Sequence, residues 1–150
     1  MHRILIAILC FIPMLTEAGE IAIEHAWIRE APPGMRVLAG YLTVHNRGDS
    51  AVRITEFASV HFKHIEMHQS VIQNGVARMQ HQACLRVEPG QSQVLAPGGY
   101  HLMLFNPIKA LKAGDTVSLS MHYTEKQNGQ TQTFPVVVKK ATGQTHHPHH

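Results

Sequence analysis

From Ile21 onward, short alternating or β-branched runs recur and each is closed by a turn signal. The runs are IAIEHAWI, RVLAGYLTVHN, AVRITEFA, HFKHIEMHQ, QVLAP, YHLMLF, DTVSLSMHYT and TFPVVVKK. Between them stand Pro32-Pro33-Gly34, Asn46-Arg47-Gly48-Asp49, Asn74-Gly75, Pro89-Gly90, Pro97-Gly98-Gly99, Gly114-Asp115 and Asn128-Gly129. Alternation sends successive side chains to opposite faces, as in a half-buried strand, while Gly and Pro supply the backbone angles and missing donors that end one. Only NPIKALKAGD offers even one helical turn. Regularly spaced runs of this kind predict an all-β antiparallel sandwich rather than a helical fold.

The chain's 150 residues, 44% of them hydrophobic, suffice for one core and not for two. Residues 1–18 read as a cleaved secretory signal peptide: Arg3, an apolar run from Ile4 to Leu15, then Thr16-Glu17-Ala18. That run, about twelve residues, falls short of the roughly 20 that span a bilayer, so no stable membrane insertion is expected. Cys10 follows Leu9, where a lipoprotein signal wants a small residue, so no lipid anchor is expected either. Cleavage near Ala18 leaves Cys84 as the remaining cysteine, and the fold at 19–140 must stand without an internal disulfide. Residues 141–150 form a polar tail carrying His146, His147, His149 and His150, an all-imidazole set suited to Cu(II) as a possible second site.

Charge excludes one class of function. Thirteen Lys and Arg against ten Asp and Glu are spread along the chain without the clustered basic patch of a nucleic-acid binder. Catalytic patterns are also missing: no Gly-x-Ser-x-Gly elbow, no phosphate-binding glycine loop and no spaced carboxylate pair. An enzyme is not expected.

What needs a chemical reason is thirteen histidines and seven methionines beside one Trp and two Cys. In the run YHLMLF, His101 and Met103 share one strand face while Leu102 and Leu104 take the other. Alone, such a pair is equally an ordinary piece of strand. Read backwards, however, it completes the pattern His68-x10-Met79-x21-His101-x-Met103. At this composition four such positions match by chance on the order of two times in a thousand. Two imidazoles and two thioethers form a soft, uncharged donor set that favours Cu(I) over Zn(II), Mg(II) or Ca(II). A zinc site recruits thiolates, more imidazoles or a carboxylate.

The spacing is similar to the copper-binding motif of the periplasmic PCuAC-type copper chaperones. AWIREAPPGMRVLAGYLTVHNRGD, NGVARM and LAPGGYHLMLF extend the resemblance over roughly Glu24 to Val138. The resemblance implies a cupredoxin-like Greek-key β-sandwich, a monomer in the periplasm, that holds Cu(I) through His68, Met79, His101 and Met103. It also implies delivery to the copper-site subunit of a respiratory cytochrome oxidase, directly or through a thiol-bearing copper chaperone. Two rivals stay open: a copper-buffering or resistance protein that sequesters without delivering, and a cupredoxin-type electron carrier using Cys84.

Several neighbours invite a role. His61, His64 and His68 have spacings that would suit zinc on a helix, but the segment reads as strand. Met67 is read as core with a weak ligand as the alternative, His81 as a surface side chain within reach of the metal, and Cys84 as a small buried hydrophobe ahead of a ligand. Trp27 is read as a core anchor and Tyr100 as a shield for the site. Glu66 is a candidate acceptor for a hydrogen bond from a ligating imidazole, a contact that the sequence does not show.

Overall fold

The computed structural model describes residues 20–140. Alternation builds the strand that matters most: in Tyr100–Pro107, Leu102 and Leu104 are wholly buried while Met103 and Phe105, each next in sequence, are partly exposed. Ten strands follow the same logic. They are β1 (Ile21–Arg29), β2 (Val37–Asn46), β3 (Val52–Ala58), β4 (Phe62–Gln73), β5 (Val76–His81), β6 (Leu85–Val87), β7 (Ser92–Leu95), β8 (Tyr100–Pro107), β9 (Thr116–Glu125) and β10 (Asn128–Lys139). NPIKALKAGD forms bends and a turn, without a helix.

The strands make one ladder in the order β5-β4-β8-β7-β2-β1-β10-β9-β3-β6, with β8 also paired to β2. The ladder folds over so that inward residues of its two halves meet in a single core. Leu38 and Leu42 of β2, Met67 of β4 and Leu102 of β8 pack in one cluster with Ile54 of β3, Met121 of β9 and Val136 of β10. Pairing is antiparallel except at two places. β1 and β10 run parallel over Trp27–Arg29, and Leu95 of β7 meets Tyr100 of β8 in a single parallel bridge. The wholly antiparallel expectation fails there because no hairpin sets the relative direction of the first and last strands.

Two bulges change which face a residue takes. In β3 the register shifts between Ile54 and Glu56, so both Ile54 and Phe57 point inward despite their odd spacing. In β1 it shifts between Glu24 and Trp27, around His25 at φ 54°. Ile21 and Ile28 are both buried in consequence, and Trp27 turns outward against Tyr41, ring centroids 4.7 Å apart. Trp27 is therefore no core anchor.

Turn chemistry holds at Asn74-Gly75, whose φ angles of 54° and 75° close the β4–β5 hairpin as a two-residue loop. At the β9–β10 hairpin the loop is Lys126-Gln127, φ 46° and 68°, and Asn128-Gly129 already belongs to β10.

Candidate metal centre

β4 and β8 lie side by side in a register that pairs His68 with His101 and Glu66 with Met103. The strand period puts Glu66 and His68 on the face opposite buried Met67, and His101 and Met103 on the face opposite Leu102 and Leu104. On the other side of β4, the pairing with β5 sets His81 against His68 and Met79 against Ser70.

The two imidazoles are held differently, with the same outcome. His101 is 6% exposed, and its Nδ1–H donates to the Gly99 carbonyl at 3.0 Å. A carbonyl only accepts, so the proton sits on Nδ1 and Nε2 keeps its lone pair. His68 donates from Nε2 to Glu66 Oε2 at 2.8 Å, which leaves the lone pair on Nδ1. That Nδ1 is buried and has no hydrogen-bond partner. A buried nitrogen without a partner carries a desolvation cost that a bound cation would offset. The ring centroids of His68 and His101 are 6.0 Å apart.

The thioethers are less enclosed. Met103 is half-buried on β8 between Glu66 of β4 and Ala39 of β2, and Met79 is 64% exposed on β5. With Ser70 and His101 they line one cleft of about 500 Å³. Ser70 pairs with Met79 across β4 and β5, and its N–H donates to the Gly99 carbonyl at 3.0 Å, two residues before His101. A second cleft of about 590 Å³, lined by Pro32, Pro33, Pro107 and Leu111 among others, holds no imidazole.

Glu66 is shared. Its Oε2 accepts from His68, and its Oε1 lies 3.4 Å from His64 Nε2. The hydrogen bond from His68 holds its carboxyl below the usual carboxylate range. Among the described residues no group of three His, Cys, Asp or Glu side chains is arranged to hold a metal. An imidazole pair with thioethers, and a carboxylate behind one ring, suits a soft cation of low charge.

Residues 21–138 match the family described as "Putative lipoprotein LpqE-like". The chain belongs to this LpqE-like family. A curated relative is "Putative lipoprotein Lxx21020" of Leifsonia xyli subsp. xyli (strain CTCB07), 29% identical over 128 residues, which are 85% of this chain and 74% of that protein. Among solved structures, the copper-bound PCuAC domain from PmoF2 is similar at TM-score 0.67 and 23% identity, covering 82% of this chain and 95% of that domain. The Cu(I) form of DR1885 from Deinococcus radiodurans is similar at TM-score 0.62 and 25% identity, covering 80% of this chain and 78% of that one. The LpqE-like chain thus has the all-β, cupredoxin-like fold of PCuAC domains.

The LpqE-like fold gathers the four spaced residues on one face, His68 beside His101 and the cleft beside both. His81 comes next to His68, ring centroids 5.6 Å apart and edge-on. Met67 is 4% exposed and belongs to the core. Cys84 is a free, half-buried thiol between β5 and β6 and does not line the cleft. Tyr100 packs against the core instead of shielding the site, because it shares the face of Leu102. His64 stacks on Phe105 at 4.3 Å, and neither it nor His61 reaches the cleft. Met35, from the loop before β2, and Arg29 of β1 also line the cleft, and sequence reasoning assigned neither a role. The signal segment 1–18 and His146, His147, His149 and His150 lie outside the described residues.

Proposed function

We propose that this chain is an exported copper carrier that binds one Cu(I) through His68, Met79, His101 and Met103 in the periplasm and hands it to a partner. The observation that carries this reading is the pair of pre-set imidazoles on adjacent strands, each with one nitrogen tied to an acceptor and the other holding a lone pair, of which His101 shares one cleft with the thioethers of Met79 and Met103. Neutral thioether and imidazole donors retain Cu(I) without the charge that attracts hard divalent ions. The Cu(I) form of DR1885 and the copper-bound PmoF2 domain, both similar in fold, are in keeping with copper as the cargo. The lipoprotein descriptions of the family and of its Leifsonia relative support work beyond the cytoplasm.

Release is the other half of the function. Met79 lies on the edge strand of the ladder and is 64% exposed, so it is the ligand that an incoming donor displaces first. Stepwise exchange, one thioether for one acceptor thiolate or imidazole, keeps the metal bound throughout. The acceptor is the copper site of a respiratory cytochrome oxidase, reached directly or through a thiol-bearing chaperone. The tail histidines His146, His147, His149 and His150 form a second site, suited to Cu(II).

Incubation of the Cu(I)-loaded chain with an apo oxidase copper-site domain, followed by separation and metal analysis, tests delivery. Copper moving to the oxidase domain supports the reading. Copper retained by the chain, against an acceptor of higher affinity, makes it a sequestering protein instead.

A further inference from the structure

The four-ligand reading leaves one sulfur-bearing residue of the cleft, Met35, without a role. Met35 lines the same cleft as Met79, His101 and Met103, which makes three thioethers and one imidazole around a single space. His68 is not part of that lining; its side chain is 14% exposed and tied to Glu66.

Met35 is held where a ligand needs to be held. It closes the Pro32-Pro33-Gly34 turn, its N–H donating to the Pro32 carbonyl at 3.1 Å. Gly34 takes φ +84°, which lets the turn deliver the next side chain at the start of β2. Two prolines stiffen the approach. At 58% exposure Met35 contributes little to the core, so packing does not explain a large apolar side chain here. It also lies between the two clefts and lines both.

We propose that Met35 is a third thioether ligand, and that Cu(I) is captured and released through a set made of Met35, Met79, Met103 and His101. His68 joins as the metal settles, through the lone pair on its partnerless Nδ1. Thioethers are neutral and exchangeable, so a set rich in them admits Cu(I) without proton release and lets it leave by single substitutions. This inference rests on the Cu(I) reading above and adds a ligand to it.

The test is NMR of the full chain labelled at the methionine methyl carbons, titrated anaerobically with Cu(I), with resonances assigned by single Met→Leu variants. Met35, Met79 and Met103 are expected to shift together at the first equivalent, while Met67 and Met121, 4% and 0% exposed in the core, stay put. Met35→Leu, which removes the sulfur and keeps an apolar side chain of similar size, is expected to weaken Cu(I) binding at least about tenfold. Shifts at Met79 and Met103 with Met35 unmoved overturn the third thioether and leave the four-ligand reading intact. No shift at any of the three overturns both.

Discussion

His68 and His101 stand in register on adjacent strands, ring centroids 6.0 Å apart, each with one ring nitrogen already donating to an acceptor. The two acceptors differ in kind. Gly99 offers a backbone carbonyl fixed by the turn before β8, whereas Glu66 offers a side chain from the same strand as its partner. Orientation of the His101 ring is therefore built into the fold, and that of His68 depends on one carboxylate.

Glu66→Gln tests that dependence. It is expected to weaken Cu(I) binding by about 10–100-fold, the usual loss when the group behind a ligating imidazole is altered. Glu66 is partly exposed, so stability should stay within about 0.5 kcal/mol. Competition with a chromophoric Cu(I) chelator and a urea melt measure the two effects. Unchanged affinity would mean that packing alone orients His68.

His81 stands next to His68, and neither it nor Cys84, which follows three residues later, lines the cleft. His81→Ala and Cys84→Ala should each change Cu(I) affinity far less than Met79→Ala, which is expected to lose at least about tenfold. The Cu(II)-loaded protein should also lack the intense visible band of a copper–thiolate bond, which an electron carrier using Cys84 would show. Absorption spectra of the wild type and of Cys84→Ala decide the point.

Among the described residues Arg29 is the one permanently charged side chain lining the cleft. Its guanidinium lies 5.7 Å from the Tyr41 ring and 6.0 Å from that of Trp27, and Nε is buried without a hydrogen-bond partner. A fixed positive charge repels a divalent ion twice as strongly as Cu(I). Arg29→Gln should therefore raise affinity for Cu(II) or Zn(II) relative to Cu(I) by roughly three- to twentyfold, and Arg29→Lys should not. Parallel titrations with the two oxidation states read the ratio.

Asn46 carries much of the polar order in the core. It is 1% exposed, its Nδ2 donates to the Ser50 and Val87 carbonyls at 2.7 and 3.0 Å, and its Oδ1 accepts from Gly48 N–H at 3.1 Å. Asn46→Ala leaves those groups unpaired and is expected to cost about 2–4 kcal/mol of stability in denaturant unfolding. The residue is remote from the cleft, so Cu(I) affinity of the folded fraction should not change.

The sequence was most readable where a local rule acts alone. Alternation in YHLMLF assigned the faces of His101, Leu102, Met103 and Leu104, and Asn74-Gly75 marked its hairpin. It was least readable where pairing overrides pattern. All six residues of β5 are exposed, so the strand that carries Met79 shows no alternation, and β6 is three residues long. The β1 bulge turns Trp27 out of the core, and Lys126-Gln127 take positive φ at the turn, two residues before the Asn128-Gly129 signal. Met35 reaches the cleft from a loop, a contact that only the assembled sheet creates. Glu66 was a candidate acceptor by residue type alone, and only the fold shows it bonded to His68, two residues along the same strand face.

The central claim is that the four spaced residues, and not the tail, hold Cu(I). An anaerobic Cu(I) competition titration of the full chain, of a version ending at Ala141 and of Met103→Ala tests it most directly. One tight equivalent that survives loss of the tail and collapses in Met103→Ala is the predicted result. Binding that disappears with the tail and persists in Met103→Ala would contradict it.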